Sequence, residues 1–345
     1  MIGIRVDVNR EVATGHIKRD MAIALCLRKM GQKCLFISAD DNCVPYLAAQ
    51  GFPYVVLDSK WYELEGELDK MERVIREYHI DSLLVDSYLV TERYMQSLSQ
   101  MTKVTYFDEL GLFGYGCSQL INGVLEPPDY SRAPGKALLG AEYVSLREEF
   151  MDLPPKNVGP ELRKLLITSG GTDNFHFCAR FLEFVLAQDE WKHLQIVVTA
   201  GELSGDIELL KQKYGDHDRV QLYVNATNMR ELMQEADYVI TAGGTALYEV
   251  CAVGVAASCY TIADNQVENA KVFEDRGLVA YVGDFRQKPE QTMQRILEHL
   301  EQARDEKYRR EQSARMQKVV DGKGAMRIAG ALVSISEDTK HQVNR

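Results

Sequence analysis

The chain lacks most marks of a secreted, membrane-spanning or nucleic-acid-binding protein. No stretch approaches the about 18 consecutive apolar residues that cross a bilayer. No basic-then-apolar leader precedes "MIGIRVDV", so a cytoplasmic protein is expected. Basic charge is scarce: 40 Lys and Arg against 51 Asp and Glu leave a formal net charge of −11. An acidic chain suits neither phosphate backbones nor anionic lipid, so no nucleic-acid partner and no membrane insertion are expected. The 7 cysteines are scattered and none forms Cys-x-x-Cys, which argues for free buried thiols and against a zinc site or a disulfide framework. A P-loop, a spaced Gly-x-Gly-x-x-Gly, Gly-x-Ser-x-Gly and His-Glu-x-x-His are also absent. That leaves ATP, NAD, serine-hydrolase and zincin chemistry unsupported, and neither metal nor cofactor is expected.

What is present is an ordinary globular composition, 46% hydrophobic and 26% charged over 345 residues, a length that suits two domains. Short apolar runs alternate with amphipathic segments. "IGIRVDV", "KCLFIS", "YVVL", "SLLVD" and "KVTYFD" read as strands, and apolar residues recur at helical spacing from His16 to Met30 until Gly31 stops the helix. The stretch 151–164, "MDLPPKNVGPELRK", carries three prolines and a glycine and is the best linker candidate. After it the alternation restarts with "KLLITS", "LQIVVTA", "VQLYV", "YVITA" and "AASCYTI". The pattern predicts two α/β domains with doubly wound parallel sheets, over 1–150 and 161–335, joined at 151–160 and followed by a polar tail over 336–345. Two such domains would face each other across a cleft, and chemistry belongs in the loops beyond the strand ends.

Three such loops in the second half suit a nucleotide. "SGGTDN" holds Gly170, Gly171 and Thr172 after a strand, and "TAGGTALYEV" repeats the arrangement with Gly243, Gly244 and Thr245. Two Gly-Gly-Thr turns at helix starts suggest a pyrophosphate held by two helix N-termini; capping by Thr172 or Asp173 is the plainer alternative. Glu249 is placed to accept bonds from ribose hydroxyls, or is a solvated helix residue. Asn265 and Gln266, in "ADNQVENAK", can read a base, a sugar hydroxyl or a phosphate, or simply cap a helix.

In the first half, Arg5 and Asp7 share one side of the first strand, an unusual place for charge in a parallel sheet. Asp86 and Tyr88 follow one later strand, and Asp108 and Glu109 end another. "ATGHIKRD" places Gly15 and His16 where the first strand hands over to a helix. A histidine there is most often structural. The positive end of a helix dipole nevertheless favours the neutral imidazole, which can take a proton. Asp7 or Asp108 is expected to hold the other ring nitrogen. Lys18 and Arg19 divide between surface and cleft wall.

Together "RVDVN…TGHIKRDMAIALCLRKMG", "LLVDSY", "YFDE", "YVSLREEF", "LLITSGGTDN" and "ITAGGTALYEVCAVGVAASCYTIADNQVENA" resemble the UDP-sugar hydrolases of pseudaminic acid biosynthesis. That group cleaves UDP-2,4-diacetamido-2,4,6-trideoxy-β-L-altropyranose and includes spore-coat polysaccharide biosynthesis proteins. The resemblance implies the GT-B fold of MurG-type glycosyltransferases, with two Rossmann-like domains facing a central cleft. It implies His16 as the general base that activates water, with Tyr88 lining the same cleft; Arg5, Asp7, Gly15 and Asp108 are expected beside them around the sugar. Gly170, Gly171, Thr172, Gly243, Gly244 and Thr245 would meet phosphate, Glu249 the ribose, and Asn265, Gln266 and Asn269 the sugar or phosphates. One departure falls in the loop that touches the sugar, where Ala13 stands in place of an expected glycine. The implied reaction is metal-independent attack of water on the anomeric carbon with inversion, by a monomer, releasing UDP. A MurG-like glycosyltransferase and a non-catalytic nucleotide-sugar-binding protein are the alternatives.

Overall fold

The computed structural model describes residues 1–9, 14–112, 116–133, 135–201 and 204–343. They form two compact units, Met1–Glu148 with Gly322–Arg345, and Glu149–Asp321.

The first unit is built on a parallel sheet of β1 (Ile2–Val6), β2 (Cys34–Ser38), β3 (Tyr54–Val56), β4 (Ser82–Asp86), β5 (Lys103–Phe107), β6 (Gln119–Asn122) and β7 (Lys136–Leu139). Helices α1 (Gly15–Lys29), α2 (Val44–Ala49), α3 (Leu68–Glu77) and α4 (Glu92–Met101) lie between the first five strands. The strand order is β3-β2-β1-β4-β5-β6-β7. β1 is buried at every position, as a central strand covered on both faces must be. One core lies where Ile17, Ile23 and Leu27 of α1 meet β1 and β2. The opposite core holds Met71, Val74 and Ile75 of α3 and Tyr94, Met95 and Leu98 of α4.

The second unit repeats the plan with β8 (Lys164–Thr168), α5 (Phe177–Leu186), β9 (Gln195–Ala200), α6 (Ile207–Tyr214), β10 (Val220–Val224), α7 (Met229–Glu235) and β11 (Tyr238–Ala242). It continues with α8 (Ala246–Val253), β12 (Ala257–Thr261), α9 (Asp264–Asp275), β13 (Ala280–Asp284), α10 (Pro289–Gln302) and α11 (Glu306–Met316). Its parallel order is β10-β9-β8-β11-β12-β13. Phe177, Phe181, Trp191, Tyr238 and Tyr260 anchor its core.

The last helix, α12 (Gly324–Val343), departs from the expected domain division. The sequence pattern groups it with the second half, but it belongs to the first unit and packs along α1. The reason is its apolar stripe: Ala325, Ile328, Ala329 and Leu332, at helical spacing, complete the core formed by β1 and α1. Arg327 fastens it further by donating to the Glu142 carbonyl at 2.9 Å. All seven cysteines are buried and free. Among the described residues, no helix is long and apolar enough to cross a membrane.

Candidate active site and nucleotide site

β1 and β4 are hydrogen-bonded neighbours from which the chain winds outward in opposite directions, and the crevice beyond their ends is where open α/β sheets bind ligands. Helix α1 starts there and brings in His16, Arg19 and Asp20. Asp86 is the last residue of β4, in register with Val6. The Nδ1 of His16 lies 2.9 Å from Oδ1 of Asp86. Its Nε2 is buried and has no hydrogen-bond partner among the described residues. The ring of Tyr88 meets the imidazole edge-on, with centroids 4.6 Å apart. Arg19 completes the cluster: its Nε and one Nη lie 2.6 and 2.5 Å from the two Asp86 oxygens, and the other Nη lies 2.6 Å from Glu109. Tyr88 donates its hydroxyl to Glu109 at 2.8 Å.

The electrostatics favour an ionised Asp86. Burial works to raise its carboxyl, but Arg19 and His16 overcome that and hold it well below the usual carboxylate range. A carboxylate accepting from Nδ1–H leaves Nε2 as the proton-accepting nitrogen of the neutral ring. Asp20, one helical turn beyond His16, behaves oppositely. It is fully buried, neither carboxyl oxygen has a hydrogen-bond partner among the described residues, and burial with Asp86 and Glu109 pushes its carboxyl well up.

Asp86 therefore takes the place expected for Asp7 or Asp108. Asp7 is engaged elsewhere: one oxygen accepts from the Ala39 amide at 2.8 Å and the other lies 2.7 Å from Arg5. Arg5 is fully buried and forms a fork with Glu67 at 2.7 and 2.8 Å, to which Tyr94 and Ser59 also donate. Arg5 and Asp7 thus belong to a buried ionic network with Glu67. Asp108 is equally buried, and its Oδ1 accepts from the Leu112 amide at 2.7 Å, fixing its own loop. Gly15 is exposed, and a side chain starting there would meet none of the described residues within 4 Å. Residues 10–13, with the departure at Ala13, lie outside the described residues.

In the second unit β8 and β11 occupy the equivalent switch point, so the two Gly-Gly-Thr turns lie side by side at its crevice. They are not equivalent. The first runs on for several residues before α5 starts at Phe177. Asp173 caps that helix, accepting from the Phe177 and Cys178 amides at 2.8 and 2.9 Å. The expected pair of helix ends available to a pyrophosphate thus reduces to one, because a carboxylate already satisfies the first. The turn itself needs glycine: Gly170 has φ +84°, and a Cβ on Gly201 would stand 2.3 Å from the Gly171 carbonyl oxygen. The second turn leads directly into α8, whose N-cap, Thr245, makes no side-chain cap bond. A Cβ added to Gly243 would press on Thr261 and Gln266 at 3.2 and 3.3 Å, whereas one on Gly244 would reach the Gln266 amide nitrogen only at 4.0 Å. Gln266 accepts from the Ile262 amide, and Asn269 accepts from the Tyr248 hydroxyl at 2.9 Å. Asn265 is exposed, and Glu249 is half-buried on the first turn of α8. Among the described residues no group of three or more His, Cys, Asp and Glu is placed to hold a metal ion.

Paired doubly wound units of this kind define the GT-B class. The chain superposes on MurG of Acinetobacter baumannii with a TM-score of 0.69 at 15% identity, over 96% of this chain and 99% of that one. Residues 165–324 match the glycosyltransferase family 28 C-terminal domain. More particularly, the chain is related to the UDP-2,4-diacetamido-2,4,6-trideoxy-beta-L-altropyranose hydrolase of Campylobacter jejuni, at 24% identity over 79% of this chain and 96% of that one. It is 22% identical to the spore coat polysaccharide biosynthesis protein SpsG of Bacillus subtilis, over 97% and 98% of the two chains. An uncharacterized protein of Methanocaldococcus jannaschii is also 22% identical over 74% of this chain, which spans only 54% of that longer protein.

Proposed function

We propose that the protein hydrolyses a UDP-linked diacetamido-trideoxyhexose at the anomeric C–O bond, releasing UDP and free sugar with inversion and without a metal. The observation that carries this reading is the His16–Asp86 pair, with Nδ1 held at 2.9 Å and Nε2 left without a partner among the described residues. Asp86 fixes the tautomer. Nε2 removes a proton from water as the oxygen attacks the anomeric carbon, and Asp86 stabilises the imidazolium that forms. Arg19 keeps Asp86 ionised, and Tyr88 limits the ring's rotation. Gly15 leaves room beside the base for the sugar. The second unit is assigned the nucleotide, with phosphate at the Gly-Gly-Thr turns and at the start of α8, where charge developing on the departing β-phosphate is stabilised. The names of the hydrolase and spore-coat relatives support this substrate class.

A transferase reading, with an acceptor hydroxyl in place of water, draws on the family 28 match. Proton NMR of the anomeric signal during turnover separates the two. With the UDP-sugar, chelator and no acceptor present, free sugar of inverted configuration is expected. A substrate that stays intact until an acceptor is added would overturn the hydrolase reading.

A further inference from the structure

The second unit holds its own histidine–aspartate pair, which the reading above does not use. His176 closes the loop begun by the first Gly-Gly-Thr turn, one residue before α5. Its backbone is left-handed, φ 58°, a conformation that costs a histidine energy and tends to persist where a site requires it. Its Nδ1 lies 2.6 Å from Oδ1 of Asp206, the residue before α6. The Asp206 side chain is 5% exposed, whereas that of His176 is 61% exposed. The other Asp206 oxygen is buried without a hydrogen-bond partner among the described residues. A buried carboxylate therefore orients an exposed imidazole by one nitrogen and leaves the other to solvent.

The surroundings indicate what that nitrogen meets. The loop bearing Asp206 is the one on which the glycine turn rests: Gly201 abuts the Gly171 carbonyl, Ser204 donates its amide to Gly201, and the Asp206 amide donates to Ser204. Asp173 has taken the first amides of α5, so this turn offers no free helix end. Residues 169–178 contain no lysine or arginine. On this loop His176 is the one basic side chain that can meet a diphosphate against Gly170 and Gly171.

We infer that His176, oriented by Asp206, is a diphosphate-binding residue of the second unit, donating Nε2–H to a phosphate oxygen beside the Gly170–Thr172 turn. With a carboxylate at one nitrogen and a phosphate at the other, the doubly protonated ring satisfies both. The inference rests on the nucleotide reading of this unit and adds to it a side chain and a positioning residue.

Calorimetric titration of the full chain with UDP and with uridine tests it. Asparagine tolerates the left-handed backbone, so His176→Asn removes the cation with little strain. About tenfold weaker UDP binding is expected, with uridine affinity unchanged within about twofold. Asp206→Asn should weaken UDP in the same selective way, by a smaller factor. Unchanged UDP affinity in His176→Asn overturns the inference, as does an equal loss for both ligands, which would indicate a collapsed loop. A wild-type chain that binds no UDP removes the nucleotide reading and this inference together. Selective loss of UDP in a chain that hydrolyses no UDP-sugar leaves the inference standing and removes the hydrolase.

Discussion

The two units share a plan and differ in what they place at its focus. Each has a central pair of strands, β1 with β4 and β8 with β11, from which the sheet winds outward both ways. In the first unit the crevice is filled by side chains: His16, Arg19, Asp20, Asp86, Tyr88 and Glu109 form one connected polar cluster. In the second it is lined by the backbone of the two glycine turns that follow β8 and β11. One architecture thus offers two kinds of chemistry. A dense ionic cluster can set proton affinities; an open peptide surface can accept a large anion.

The sharpest way to break this contrast is to remove the base. His16→Ala should lower kcat by a factor on the order of 10²–10⁴ while leaving UDP affinity intact, as read by steady-state kinetics and titration. Near-normal turnover would show that the cluster is not where the proton goes. The converse experiment acts on the peptide surface. Gly201→Ala would force a Cβ against the Gly171 oxygen, which it would approach to 2.3 Å. A stability loss of about 1–3 kcal/mol and weakened UDP binding are expected, measured by denaturant melts and calorimetry. Unaltered UDP affinity would mean that the first glycine turn carries no phosphate.

A third experiment separates the two buried carboxyls of the cluster by the sign of their pH response. The Asp86 carboxyl is depressed in the folded chain, so its contribution is present above the unfolded value and lost as pH falls. The Asp20 carboxyl is raised by burial, Asp86 and Glu109, so its contribution is present below the unfolded value of about 3.9 and lost as pH rises. Asp20→Asn should therefore gain stability relative to the wild type between about pH 5 and about pH 8, by at most ~1.4 kcal/mol per pH unit. A constant difference across that range would place Asp20 in its ionised form. The smallest effect is expected at Gly15. Its Cβ would meet none of the described residues within 4 Å, so Gly15→Ala should gain roughly 0.4–1 kcal/mol in a thermal melt. Turnover should nevertheless fall if that space is kept for substrate; unchanged kinetics would assign it to no ligand.

The long apolar strands were legible in the sequence because a doubly covered parallel strand reads as a continuous apolar run, as in β1, β4 and β11. β6 and β7 gave no such signal, because QLIN is polar at both ends and KALL is largely unburied, and β13 is half-buried and broken by Gly283. His16 could be singled out by its position after β1. Its partner could not, since only the pairing of β4 with β1 decides that Asp86 ends beside it. Arg19 carried one usable signal, its place one helical turn from His16. Glu67 carried none, because Arg5 reaches it across 62 residues of chain. The family resemblance read from the motifs agrees with the relatives found, whereas the capping of α5 by Asp173 had been only the plainer of two options.

The return of α12 has a consequence for how the protein is made. The second unit is a continuous insertion whose ends meet, the Asp152 amide donating to the Asp321 carbonyl at 3.4 Å. It can close as soon as residue 321 has left the ribosome. The first unit, although synthesised first, must wait with the α1 side of its core uncovered until Ala325, Ile328, Ala329 and Leu332 arrive. The half of the molecule that begins the chain is the half that finishes last.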